Sequence, residues 1–286
     1  MSADLGPVSH AVGGRRRWNP SLLVGGFIVA LIAVLALVSF VWTPYDATLV
    51  DPAGRLASPS WTHWLGTDKF GRDILSQLMV GSRTTLFVGL VAVGVAAVLG
   101  VPLGIFAAMT RRWSSELVMR ANDLLLAFPA LLLAIMFGAV FGASTTTAMV
   151  AIGIATIPSF VRVIRSGGMQ VMRTEYVLAA RAAGRRPFPI AVRHVLPNVV
   201  SLITVQASVS FAIAVLAEAA LSFLGYGTPP PTPSWGRMLQ ESQEFLFSAP
   251  RLAVFPGLAI AVAVLGFNLL GDGLRDHFDP KLEDRR

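Results

Sequence analysis

The side chains able to engage a partner are concentrated in one stretch, Thr174 to Asn198, which reads TEYVLAARAAGRRPFPIAVRHVLPN. Arg181, Arg185, Arg186 and Arg193 make it strongly basic, its alanines give it a small surface, and uncharged runs long enough to cross a bilayer flank it. Such a segment is a loop between membrane spans, and its chemistry is that of docking. Thr174 is placed to cap a helix beginning at Glu175, where an acid suits the exposed amides, and Gly184 to end it in a left-handed conformation. The pattern predicts a short helix over 175–183, left nearly bare by Ala179, Ala180, Ala182 and Ala183 so that another protein surface can approach its backbone. Arg185-Arg186-Pro187-Phe188-Pro189 forces a turn, and Pro189 suits the first turn of a second short helix carrying Ile190, Arg193 and His194 before Pro197.

Ala179-Ala180, Gly184 and Leu196-Pro197 resemble the EAA loop of permease subunits in ATP-binding-cassette importers, the coupling helix that docks on the ATPase. The fuller pattern Glu175-Tyr176-Val177, Ala179-Ala180-Arg181-Ala182, Gly184 and Arg193-His194-Val195-Leu196-Pro197-Asn198 is similar to the dipeptide/oligopeptide/nickel branch. Leu178 replaces the loop's eponymous Glu and His194 a usual Ile; the branch commonly shows both departures, and Glu175 does not simply inherit the missing acid's role. Two further segments resemble the C-type permease of that branch: His63-Trp64-Leu65-Gly66-Thr67-Asp68 with Gly71-Arg72-Asp73, and Leu221-Ser222-Phe223-Leu224-Gly225 followed by Pro233-Ser234-Trp235-Gly236-Arg237-Met238-Leu239. Tyr226 departs from the aliphatic residue usual there.

Composition agrees with membrane residence. Of 286 residues, 54% are hydrophobic and only 14% charged, against about 25% charged in soluble domains. The net charge of +7 lies in short arginine-rich loops beside apolar runs, a distribution that orients membrane spans rather than binding nucleic acid. No cysteine is present, so disulfides, thiolate metal sites and thiol catalysis are excluded. His10, His63, His194 and His277 are dispersed, with no pair at metal-ligand spacing. A phosphate-cradling GxxxxGK[ST] loop is impossible, because Lys69 and Lys281 are the only lysines and neither precedes Ser or Thr. Energy for transport must therefore come from a partner or an ion gradient.

Charge-free runs predict the elements that hold the basic stretch. Residues 18–45 contain a first span near 22–41; residues 84–110 contain a second, with Gly100 and Gly104 at a spacing that allows close helix contact and Pro102 between them. Residues 124–161 are too long for one crossing, so a third span starts near Leu117, a turn lies at 142–147, and a fourth span ends near Phe160. A fifth fits between His194 and Ala217 and a sixth over 252–271. Phe70, Ile74 and Leu78 share a helical face, so 69–82 either lies along the outer membrane surface or packs against neighbouring spans. The prolines at 229–231 and 233 make 219–236 an ordered outer loop. Six crossings leave seventeen Lys and Arg on one side and six on the other, whereas five leave fifteen and eight; six give the stronger bias and place both termini and the basic stretch in the cytoplasm.

The sequence is therefore read as an all-α polytopic membrane protein of six transmembrane helices with a cytoplasmic coupling helix, and the resemblance implies the type I ABC importer permease fold. Its parts are a cytoplasmic tail (1–20), a first span with an outer loop (21–83), a permease core (84–272) containing the coupling loop 174–198, and a C-terminal tail (273–286). The resemblance implies a non-enzymatic subunit of the bacterial inner membrane that conducts dipeptides or oligopeptides. Its implied partners are a second permease in a heterodimer, two ATPase subunits that hold the ATP, and an extracytoplasmic binding protein; membrane lipid surrounds the spans. Glu175, Ala179, Ala180, Arg181, Gly184, Arg185, Arg193, His194, Leu196 and Pro197 are the coupling candidates. Glu218 and Trp235 are candidates for the pathway or outer gate, Glu218 being alternatively an interfacial carboxylate bonded to backbone or to the partner. Nickel or another small solute is the alternative substrate, and an ion-coupled transporter the alternative class; the latter is disfavoured because ionisable groups within the spans are nearly absent.

Overall fold

The computed structural model describes residues 20–278. Most of the tail expected over 1–20, and residues 279–286, lie outside that range. Helix α1 (Pro20–Ser39) leads through an irregular segment to α2 (Ile74–Met109), α3 (Arg112–Leu126), α4 (Ala130–Phe141), α5 (Thr145–Val171), the short α6 (Glu175–Ala182), α7 (Pro187–Phe223), α8 (Trp235–Ser242) and α9 (Arg251–Phe278). Five of these are long and apolar enough to cross a membrane, and α3 with α4, bent by 78° at their junction, meets the same criterion only when the two are taken together, as a broken span or a re-entrant loop.

The seam between α2 and α5 is the centre of the bundle. A Cβ on Gly100 would stand 2.6 Å from that of Phe160, and one on Gly104 would stand 2.8 Å from that of Ile164. Gly153 and Gly168 on α5 meet Val95 and Ala108 of α2 at 2.8 Å in the same way. Lipid chains are as apolar as leucine, so helices in a bilayer gain little from burying leucines against each other and much from close backbone approach. Phe160, Val161 and Ile164 on this seam are fully buried. Helix α1 is peripheral: it packs on α9, where Gly25 lies against Gly266 and Leu269, and on α2.

Several local expectations are corrected by packing. Of the two readings open for 69–82, packing against neighbouring spans holds for 74–82, which are the first turns of α2 with Ile74 and Met79 buried. The boundary drawn at 83 thus falls inside α2. The stretch expected to hold the third span is not one helix: α3 ends at Leu126 and α4 starts after Pro129, in keeping with the bias of a residue before proline away from helical geometry. Helix α5 does not stop near Phe160 but continues to Val171. Arg162 pairs with Asp123 at 2.6 Å and Arg165 Nε donates to Ser115 Oγ at 2.9 Å, so both cations are carried on the helix with partners from α3. Helix α9 likewise runs through 273–278, the start of the expected tail.

At the end of the bundle carrying Ile74, residues 43–73 form a knotted cap. Asp68 accepts from Phe70 N (2.7 Å), Arg72 N (2.9 Å), Arg72 Nε (2.6 Å) and Gln77 Nε2 (3.0 Å), while Arg72 also pairs with Glu241 of α8. Asp73 caps α2 through Ser76 N at 2.8 Å and contacts His63 Nδ1 at 3.0 Å. The Gly-Thr-Asp and Gly-Arg-Asp triplets are thus used up in backbone and ion-pair bonds. Among the described residues no cluster of His, Asp or Glu is arranged to hold a metal.

Gly104→Leu is expected to wedge α2 from α5 and lower stability by about 1–3 kcal/mol. Thermal unfolding of the purified protein in detergent measures this, and an unchanged midpoint would contradict the seam.

Candidate functional site

At the opposite end of the bundle from the cap, α5 delivers the chain into the basic elbow. Thr174 begins α6, but its hydroxyl turns back to donate to Val171 O at 2.7 Å, and only its carbonyl receives the helix, from Val177 N and Leu178 N at 3.1 Å. The end of α6 is more specific. Arg185 N donates to Ala180 O (3.1 Å) and Gly184 N to Arg181 O (2.9 Å), with Gly184 at φ +74. This paired closure satisfies the last carbonyls of a helix and requires a left-handed residue, which glycine adopts without a Cβ penalty. A Cβ on Gly184 would meet nothing within 4 Å, so the position is constrained by backbone conformation alone.

Two apolar residues hold the elbow to the bundle. Val177 of α6 and Ile190 of α7 are buried in one cluster with Ile105 of α2, Ile164 and Met172 of the α5 end, and Val195 and Val199 of α7. With those two turned inward, the rest of the elbow faces out: Glu175, Ala179, Arg181, Gly184, Arg185, Arg193 and Pro197 are exposed, and Ala180, His194 and Leu196 half-buried. The His194 ring lies 5.9 Å from that of Tyr176, tying α7 to α6. Tyr176, Leu178 and Phe188 are exposed apolar side chains beside the arginines, Phe188 at 77%. Their sequence signal is the interruption of an otherwise small or charged stretch by large apolar residues.

Pro197 does not end a short helix. Helix α7 runs unbroken from Pro187 to Phe223 because its turn at Ala191–Val195 is a π-turn, with Leu196 N donating to Ala191 O. The wider turn makes room for a proline ring that would otherwise strike the carbonyl four residues back.

Glu218 sits near the other end of the same helix and is 1% exposed. Its Oε1 accepts from Ser222 Oγ at 2.7 Å and lies 3.5 Å from Thr228 Oγ1; Ser222 Oγ in turn accepts from Thr228 N at 3.1 Å. The polar knot fastens the proline-rich loop to α7, and Oε2 has no hydrogen-bond partner among the described residues. Trp235 is 4% exposed, its indole donating to Leu78 O at 3.0 Å and its ring against Gly81 of α2. The structure therefore gathers the coupling candidates at one end of α7 and sets Glu218 and Trp235 together at the other.

Over residues 100–284 the sequence matches the family described as binding-protein-dependent transport system inner membrane component. A dipeptide transport system permease protein of Alkalihalophilus pseudofirmus is 42% identical, over 93% of this chain and 87% of that relative. A glutathione transport system permease protein of Pectobacterium atrosepticum is 41% identical, over 93% and 89%. A chain from inward-facing structures of the MetNI methionine ABC transporter superposes with a TM-score of 0.60 at 18% identity, covering 71% of this chain and 97% of that one, and shares the fold. Matched across most of its length by sequence and through its membrane bundle by shape, the chain belongs to the inner membrane component family of binding-protein-dependent transport systems.

Proposed function

We propose that this chain is the permease subunit of an ATP-driven importer of dipeptides or oligopeptides, with its elbow the docking point for an ATPase on the cytoplasmic face. The observation that carries the reading is the exposed, cationic, small-surfaced helix α6, rigidly closed at Gly184, in a chain whose relatives at 41–42% identity are named for dipeptide and glutathione transport. Glutathione is itself a tripeptide, one of its amides γ-linked, so both named substrates share a free amine, a free carboxylate and amide linkage. The chain pairs with a second permease, two ATPase subunits dock on the elbows, and an extracytoplasmic binding protein delivers substrate to the capped end. It performs no covalent chemistry.

The proposed mechanism is mechanical. Tyr176, Leu178 and Phe188 supply apolar contact with the ATPase and Arg181, Arg185 and Arg193 supply charge. Ala179 and Ala180 let the two backbones approach. Movement of the ATPase displaces α6 together with the start of α7, because Val177 and Ile190 share one cluster. As a continuous helix of about 55 Å, α7 carries that displacement to the knot at Glu218 and to Trp235, where the pathway opens or closes.

Two outcomes are expected. Substituting Gly184 places an L-residue at φ +74, at a cost of about 1–2 kcal/mol for most side chains and less for Asn and Asp, but Asp also sets a negative charge among the elbow's arginines. Gly184→Asp and Ala180→Trp should leave the protein in the membrane but abolish co-purification of the ATPase, while Gly184→Asn retains it; unchanged ATPase recovery with Asp or Trp would sink the docking role. Because the chain has no cysteine, single cysteines report sidedness cleanly. Trp61→Cys in the cap should react with an impermeant maleimide in intact cells, and Arg185→Cys only after permeabilisation. Labelling of position 185 from outside would reverse the assigned orientation.

A further inference from the structure

Where α1 ends against α2 sits a cation that the transport reading does not use. Arg83 is the last charge before the charge-free run of α2. Its Nε donates to the buried Ser39 Oγ where α1 ends, and its guanidinium lies 4.1 Å above the ring of Phe40. That leaves the terminal nitrogens with no ion pair among the described residues, in a rigid fork suited to a phosphate. Arg83 lines a groove of about 600 Å³ whose rim also includes Val41, Trp42, Tyr45, Asp46 and Val80.

We propose that this groove binds the headgroup of an amine-bearing phospholipid, with the phosphate on Arg83 and the amine toward Asp46. Three observations select that ligand. First, the groove sits at the depth of a headgroup: α1 has just completed a membrane-length apolar helix, and Trp42 and Tyr45 follow it as interfacial aromatics do. Second, an apolar track leads away from it. Phe87 and Leu90 follow Arg83 at helical spacing on the same face of α2 and are 58% and 66% exposed, and Leu37 and Val38 are exposed on α1. Acyl chains have a surface to lie on, which a free anion does not need. Third, Asp46 carries a negative charge on the same rim. The Thr48 hydroxyl and amide, at 2.7 and 2.8 Å, hold its carboxyl below the usual carboxylate range. A purely anionic headgroup would be repelled by it, whereas an ammonium would be attracted.

Native mass spectrometry of the assembled transporter, delipidated in detergent and titrated with defined lipids, tests the site. Phosphatidylethanolamine is expected to bind, phosphatidylglycerol to bind more weakly, and diacylglycerol not to bind at this site. Arg83→Ala should weaken phosphatidylethanolamine about tenfold, with Arg83→Lys intermediate because it keeps charge but loses fork and stack. Asp46→Asn, in the loop and away from the helix packing, should erase the preference for phosphatidylethanolamine over phosphatidylglycerol. Inorganic phosphate and the dipeptide Ala-Ala should not displace the lipid; displacement by either would mark a free-anion or a peptide site and overturn the assignment. Equal lipid binding by wild type and Arg83→Ala would overturn it too. Equal affinity of wild type for the two phospholipids, or an unaltered preference in Asp46→Asn, would overturn the amine's role.

Discussion

Backbone proximity between α2 and α5 is the constraint on which the other parts depend. Where Gly100, Gly104, Gly153 and Gly168 admit the facing helix, Phe160 and Ile164 become fully buried. Hydrocarbon supplies no drive to bury a leucine, so the contact must be made by fit. Both ends of the molecule are then fixed relative to this seam. The first turns of α2 receive Trp235 and the Asp68–Arg72 knot, and its last turns join the cluster that seats Val177 and Ile190.

That arrangement separates two kinds of polar structure. Inside the cap, Asp68, Arg72 and Glu241 bond one another and Asp73 bonds Ser76 and His63, so these four side chains are committed to the cap's own structure. The elbow is the reverse. Arg181, Arg185 and Arg193 are exposed without an ion pair among the described residues, beside Tyr176, Leu178 and Phe188. Its backbone closure at Gly184 is nevertheless fully specified. A rigid scaffold carrying unspent contacts is the form expected of a surface that acts only on a partner.

Much of this was legible from composition, and the illegible parts share a cause. Charge-free runs located the spans because hydrocarbon excludes charge, and Gly184 announced a helix end because few other residues accept its conformation. The continuation of α5 past Phe160 was hidden because Arg162 and Arg165 look like a boundary until Asp123 and Ser115, far along the chain, are seen beside them. The break before Pro129 was written locally but masked by the unbroken apolar run around it. The role of Glu218 in fastening Ser222 and Thr228 required the fold of a proline-rich loop that has no periodicity to read. Helical face assignments for Phe70, Ile74 and Leu78 were open because a stripe of that kind serves lipid or protein equally well.

The π-turn at Ala191–Val195 has a geometric consequence of its own. In an uninterrupted α-helix, residues five apart stand about 140° around the axis from each other, so Ile190 and Val195 would look in different directions. The extra residue held in the turn slips the helix's phase until both side chains point into the same cluster with Val199. One residue of slack is thus what lets a helix that spans the bilayer also keep its grip on the elbow.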